Sequence, residues 1–244
     1  MLNELIAETD TTSLLSDIQI YLNWVITRSR RWAISTLFRG MPGLSDGCGM
    51  DTYLGDYVGK PVGDCFRDLF ASNETLHLTT GISCLKSALP TPDGWFEGNA
   101  IDFFEKLART RRTCFIGHFR EGANWRDLGY PVDIIELFPQ PGDIHWDDSH
   151  EVLSRTEIVL ITGLTLINNT FDEVIRRTPR ASIRVLLGPT VPFSPVFFAH
   201  GIHFIGSTLV EDIDKLASFC RLGGGSIAKA PQGTLRRVNL THLP

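Results

Sequence analysis

A dense set of uncharged hydrogen-bonding groups lies in the stretch TGLTLINNT, from Thr162 to Thr170. Thr162, Gly163, Thr165, Asn168, Asn169 and Thr170 flank only Leu164, Leu166 and Ile167. A connecting turn needs fewer such groups, so this loop is expected to build part of a ligand site. Thr170 stands three residues before Glu173, the spacing of a capping box that opens a helix. Asn168 and Asn169 then precede a helix start, where free N–H groups favour an anionic group. Local turn formation is the other reading of the two asparagines.

Further candidates follow the other apolar runs. His118 comes just after TCFI and could act as a ligand or a general base. Glu136 ends VDIIE, where dinucleotide and adenosine binders hold ribose hydroxyls. Its partner turn, GHFREGANW, is not G-x-G-x-x-G, so the pyrophosphate cradle of an NAD site is missing, and an adenosylmethionine-like ligand suits Glu136 better. Gly188 and Pro189 follow IRVLL. His145, Asp147, Asp148 and His150 fall within six residues, and all four are metal-ligand types. Asp147, Asp148 or Ser149 could equally cap the next helix. In the glycine-rich loop RGMPGLSDGCGM, Asp46 and Cys48 are potential ligands. No Ser-His-Asp order and no H-E-x-x-H occurs, and LGGGS lacks the Lys-Ser/Thr of a P-loop.

These residues need strands to carry them. TCFIGHF, VDIIELF, EIVLITG, IRVLLGP and IHFIGST are short, apolar and rich in β-branched residues, as strands covered on both faces are. Helical or polar segments separate them. That alternation predicts an α/β fold, a doubly wound Rossmann-like parallel sheet with right-handed crossovers. Ligands of such sheets bind beyond the carboxyl ends of the strands, and every strand here ends in small or polar residues.

The first half reads differently. Apolar residues recur at helical spacing from Ser13 to Arg28, and WAISTLF follows as a short apolar run. PVGDCFRDLFAS and HLTTGISCLKSAL read as two short helices. The half is expected to form a smaller α+β domain, and PTPDGWFEGN marks the boundary. The expected domains are residues 1–92 and 93–244.

The 244 residues are 43% hydrophobic and 21% charged, with a net charge of -5. That balance argues against nucleic acid as a partner, which needs concentrated Lys and Arg. Arg109, Arg111, Arg112 and Arg176, Arg177, Arg180 are expected to close helices. Five widely spaced cysteines, Cys48, Cys65, Cys84, Cys114 and Cys220, form neither a disulfide framework nor a zinc ribbon. No basic leader or membrane-spanning run occurs, so a cytoplasmic protein with reduced thiols and no membrane partner is expected. The sequons at Asn73, Asn168 and Asn239 are then chance matches. A homodimer is the commonest assembly for such a chain.

LITGLTLINNTFDEVI, followed by LLGPTVPFSPVFFAHGIHFIGST, resembles the heavy-metal chelation family of bacteria and archaea. Members read TG-x-T-x-x-N-x-T after the third strand and G-P-[ST]-x-P after the fourth. Both patterns stand here, at Thr162 to Thr170 and Gly188 to Pro192. GHF, Glu136 and Gly142-Asp143 also match. YVGKPVGDCFRDLFAS and GISCLKSAL are similar to segments of the family's N-terminal domain. The resemblance implies an N-terminal domain like that of enolase, a Rossmann-like domain, and a pocket between them. It also implies a metal or metal-chelate ligand. Where the family usually has Asn in its N-terminal helix, this chain has Lys86, with Cys84 nearby. A cation there would repel a bare metal and favour an anionic ligand.

Three functions stay open on these residues. The first is a binding protein for a metal-chelating or anionic small molecule, held by Thr165, Asn168, Thr170, Glu136 and Lys86, with Gly163 and Gly188 allowing close approach. The second is a transferase using an adenosylmethionine-like cofactor, with His118 or Glu136 as base. The third is a metal carrier using His145, Asp147, Asp148 and His150.

Overall fold

The computed structural model describes residues 1–37, 53–72 and 74–243. Asp46, Cys48 and the sequon at Asn73 lie outside the described residues.

Helix α1 (Leu2–Glu8) precedes a three-stranded antiparallel sheet of β1 (Asp17–Ile20), β2 (Trp24–Arg28) and β3 (Trp32–Thr36). The helical spacing between Ser13 and Arg28 is therefore overturned: that segment is a hairpin, and Tyr21 and Trp24 exchange main-chain hydrogen bonds at its turn. Apolar residues in so short a window fit both periods. The β-branched run Val25-Ile26-Thr27 decides for the strand, because stiff χ1 angles suit a pleated surface better than a helix. Alternate side chains reach opposite faces. Trp24 and Ile26 pack with Ile34, Leu216 and Cys220, whereas Val25 packs with Val62, Cys65, Leu69 and Cys84.

The second face is covered by α2 (Val62–Phe70) and α3 (Thr75–Ala88), the two helices expected there. Every residue of α3 is buried, including Thr75, His77, Thr79, Thr80, Ser83, Lys86 and Ser87.

The remaining strands form one eight-stranded sheet. They are β4 (Phe96–Glu97), β5 (Thr113–Ile116), β6 (Val132–Glu136), β7 (Ile144–His145), β8 (Ile158–Thr162), β9 (Ile183–Leu187), β10 (Phe204–Val210) and β11 (Leu235–Thr241). The order is β4-β11-β10-β9-β8-β5-β6-β7. Pairing is parallel from β10 through β9, β8, β5 and β6 to β7, and antiparallel between β11 and β4, so the sheet is mixed. Phe115, Ile158, Val159, Leu160 and Ile161 are fully buried, as the apolar runs required.

Helices α4 (Glu105–Ala108), α5 (Arg120–Asp127), α6 (His150–Arg155), α7 (Phe171–Arg177), α8 (Val196–Ala199) and α9 (Ile213–Arg221) complete the α/β fold. The glycine Gly122 lets α5 approach the sheet, since a Cβ there would stand 2.8 Å from the Phe115 ring.

The chain divides into two compact units. One holds residues 1–94, 189–196 and 207–237, and the other holds 95–188, 197–206 and 238–244. The expected single cut after residue 92 thus falls close to the first crossing, but later segments return to the first unit. Thr190 Oγ1 accepts from the Thr36 N–H at 3.0 Å, and Ser194 Oγ donates to Glu8 at 2.5 Å. No helix of the described residues is long and apolar enough to cross a membrane.

Candidate functional site at the carboxyl ends of the parallel strands

The last residues of β5, β6 and β8 carry the strongest polar geometry. Beyond β5 the chain turns at Gly117, with φ +106°. A Cβ at Gly117 would sit 3.1 Å from the Thr162 side chain, so glycine is what allows the ends of β5 and β8 to close up.

His118 follows and is held at two points. Its main-chain N–H donates to Glu136 Oε1 at 2.8 Å, and its ring Nδ1 lies 2.7 Å from Asp143 Oδ2. An ionised carboxylate has no proton to give, so the imidazole donates from Nδ1, and the neutral form keeps its lone pair on Nε2. The His118 side chain is 24% exposed, whereas that of Asp143 is fully covered.

Asp143 also accepts from Arg126 Nη1 at 3.0 Å and from the Gln140 N–H at 3.1 Å. Burial alone would raise its pKa. The hydrogen bonds from His118, Gln140 and Arg126 outweigh that and hold the carboxyl below the usual aspartate value. Arg126 is fixed in turn by the Gly142 carbonyl at 2.6 Å. Gly142, at φ +88°, leaves room for it, since a Cβ would stand 3.2 Å from the guanidinium.

Asp143 and Arg126 were not among the candidates drawn from residue type. Asp143 entered only through the Gly142-Asp143 match to the family. Arg126 carries no signal, because its role depends on α5 lying beside that turn.

Glu136 lies beside His118, and both of its oxygens meet main-chain donors. Oε1 takes the His118 N–H and Oε2 takes the Leu137 N–H at 3.0 Å. Its visible work is to shape the His118 turn.

The Thr162–Thr170 loop is largely self-braced. Thr162 caps a short 3-10 helix, Gly163–Leu166, by accepting from the Leu164 N–H at 3.3 Å. Thr165 Oγ1 donates to the Thr162 carbonyl at 2.8 Å, and Thr165 is buried. Asn168 Oδ1 accepts from both the N–H and the hydroxyl of Thr170, at 3.2 and 2.7 Å. The expected capping box is not made: Thr170 gives α7 no side-chain cap, and Glu173 pairs with Arg177 at 2.6 Å. Asn169 takes φ +58°, the turn conformation that asparagine tolerates. Gly188, at φ +121°, approaches Gly163, whose nitrogen lies 3.9 Å from where a Cβ would be.

Lys86 stands in the first unit. Its Nζ donates to the Ile34 carbonyl at 2.6 Å and to the Pro189 carbonyl. The residue is 5% exposed, and burial together with the nearby Arg31 charge brings its pKa down to about 7.

The run His145, Asp147, Asp148 and His150 does not gather into a ligand shell. Among the described residues no group of three or more His, Cys, Asp or Glu could hold a metal ion. His145 Nδ1 is spent accepting from the Asp147 N–H at 3.2 Å, and Asp147 turns out to solvent. These residues end β7 and open the short 3-10 helix Trp146–Asp148, with Ser149 at the start of α6. Local turn geometry engages His145 and Asp147.

Cys65, Cys84, Cys114 and Cys220 are free and buried. Burial pushes the Cys65 and Cys220 thiols up to about 11, and Cys84 and Cys114 well above their ordinary value. None supplies a ready thiolate.

Comparison with known proteins adds the following. The signature of the DUF364 family, described as "Putative heavy-metal chelation", matches residues 99–239. The uncharacterized protein MJ0500 of Methanocaldococcus jannaschii is 29% identical over 141 residues, which cover 54% of each chain. This chain therefore spans about half the length of that curated relative. A crystal structure of a DUF364 protein of unknown function from Desulfitobacterium hafniense DCB-2 is similar, with a TM-score of 0.81 at 16% identity, covering 98% of this chain and 96% of that one. Another, from Pyrococcus horikoshii, gives 0.70 at 16% identity, covering 98% and 95%. At that identity the likeness is one of fold.

Proposed function

The chain belongs to the DUF364 heavy-metal chelation family, and from that premise we propose that it holds a small metal-chelating molecule together with its metal. The site we assign is the carboxyl edge of the parallel strands, with His118 Nε2 as the group that meets the ligand. The observation that carries this reading is the His118–Asp143 pair at 2.7 Å, anchored by Arg126. A carboxylate on one ring nitrogen fixes the tautomer and raises the donor strength of the other, the usual support of a metal-bound histidine.

The donor set argues for a chelate over a bare ion. A bare metal needs several protein ligands, and the described residues offer no cluster of three. A metal already wrapped by its chelator needs only one open position filled, and a single oriented imidazole can fill it.

We read the sheet as doubly wound. From β5 it extends one way through β6 and β7, and the other way through β8, β9 and β10. The reversal lies between β5 and β8, which in open α/β sheets is where ligands bind. Gly117, His118, Thr162 and Gly163 stand at those strand ends, and Gly188 at the end of β9. Thr162, Thr165, Asn168 and Thr170 keep the loop rigid through their mutual bonds, so its role is to shape the wall of the site. The transferase reading draws less support, because Glu136 spends its oxygens on main-chain N–H groups.

Native mass spectrometry of gently purified protein tests the proposal. An organic molecule and a metal leaving together, and missing from His118→Ala, is the expected result. Metal bound without any organic partner, equally in both proteins, would overturn it.

A further inference from the structure

Strand β3 is an edge of its sheet, since the order is β1-β2-β3. Just past β3, Leu37 donates its N–H to the Asn23 carbonyl, in the register that sets Ser35 opposite Val25. The odd residues of β3 therefore turn their main-chain groups to β2, and the even ones, Ile34 and Thr36, turn theirs outward. Covered main-chain groups need partners. The Thr36 N–H finds Thr190 Oγ1 at 3.0 Å. The Ile34 carbonyl finds Lys86 Nζ, from α3, at 2.6 Å. The same nitrogen donates to the Pro189 carbonyl.

A lysine is what this junction requires. Pro189 has no N–H, so it cannot extend the ladder to Ile34. It brings a carbonyl, and two carbonyls cannot bond each other unless a donor stands between them. Beyond it, the Val191 carbonyl accepts from Ser207 Oγ at 2.6 Å. All of these groups lie within the first unit.

We propose that Lys86 is a proton-operated clasp, which in its neutral form holds Pro189–Val191 against the outer edge of β3 and on taking up a proton releases that segment. A neutral amine keeps two N–H donors, one for each carbonyl, and has no charge to hydrate. The charged form is poorly served here, because the residue is 5% exposed and no carboxylate meets it. It recovers its water only when the segment moves away. Burial, with the Arg31 charge added, brings the closed-state pKa down from 10.5 to about 7. The open form, hydrated, returns toward the ordinary value. Between these limits the open form binds the proton more tightly, so acidification favours opening.

The other ionisable groups around Lys86 do not share this window. Arg31 is the charge that bears on it, and a guanidinium keeps its proton. Ala33 to Thr36 of β3 and Pro189 to Val191 carry no ionisable side chain. On α3 and on α2 packed against it, burial holds the Cys84 thiol well above its ordinary value and Cys65 at about 11. His77 stands nine residues before Lys86, about 14 Å along α3, and Asp64, Arg67 and Asp68 of α2 are exposed. The clasp does not rest on the chelate reading, and its test needs no ligand.

Amide hydrogen exchange of the full chain between pH 7 and pH 9 reads the clasp through the Thr36 N–H. The Val25 amide, in the middle strand of the same sheet, reports global unfolding. The Thr36 opening constant should exceed that of Val25 throughout and rise roughly 50-fold from pH 9 to pH 7. In Lys86→Met that rise should vanish. Thr36 and Val25 opening with one constant, no rise on acidification, or the same rise in Lys86→Met would overturn the clasp. Should Lys86→Met fail to fold, the nitrogen shift of Lys86 Nζ in wild type replaces it. Its titration midpoint must lie near 7, and a midpoint near 10.5 overturns the proposal.

Discussion

Replacing Asp143 with Asn isolates the group on which the His118 geometry depends. The side chains are nearly isosteric, but the amide keeps one acceptor oxygen where the carboxylate offered two. The carboxylate now serves His118 at 2.7 Å, Arg126 at 3.0 Å and the Gln140 N–H at 3.1 Å. In the variant an NH2 group must face either the imidazole or the guanidinium. A hydrogen bond to a charged group is worth about 1.5–3 kcal/mol. His118 and Arg126 are 24% and 27% exposed, so water recovers part of what is lost. We expect a net loss of about 2–3 kcal/mol near neutral pH, since breaking a covered ion pair leaves its partner uncompensated. For a chain of this size that lowers the midpoint by roughly 4–12 °C.

The acid limb fixes the sign. Because the folded Asp143 pKa lies below its ordinary value, its contribution is present above about pH 4 and is lost as pH falls through the folded pKa. The stability gap between wild type and Asp143→Asn should therefore close in acid. Urea unfolding across pH 3–8 reads the gap, and nitrogen NMR of the imidazole reads the tautomer. Where the Asn NH2 faces the ring, the proton moves to Nε2. Equal stability at pH 7, with the Nδ1–H tautomer retained, would refute the reasoning.

Three further outcomes are expected. The Lys86 pKa of about 7 makes the unfolded chain the better proton binder between pH 7 and about 10.4, so wild-type stability rises with pH there. Lys86→Met should flatten that rise in urea titrations at pH 7, 8 and 9. Gly188→Ala forces a side chain into φ +121° and should cost about 1–3 kcal/mol in urea unfolding. The four described cysteines should resist a thiol reagent in the native protein at pH 7.5 and react only on unfolding, as counted by absorbance.

The strands were readable because their physics is local. TCFI, VDIIE, IVLIT and IRVLL are apolar at their buried positions, with the polar Thr113 the exception. Their order was not readable, since which strand neighbours β5 is decided by crossovers, and the short β7 offers only Ile144 and His145. The hairpin at Asp17–Arg28 passed for a helix because its closely spaced apolar residues fit either period. His118, Glu136 and the Thr162 loop stood out by position after strands. Their roles did not, because a hydroxyl that binds a ligand and one that braces its own loop look alike until partners are seen. Thr170 illustrates this, as its hydroxyl goes to Asn168 where a helix cap was expected. Asp143 and Arg126 needed the turn at Gly142 brought against α5, a meeting that the spacing of residues does not encode.

The central assignment is tested most directly by calorimetric titration of untagged protein with nickel nitrilotriacetate, and separately with nickel chloride. One equivalent of the complex should bind wild type, weaken at least tenfold in His118→Ala, and exceed the affinity of the bare ion. Stoichiometric uptake of bare nickel that ignores the loss of His118 would contradict the account.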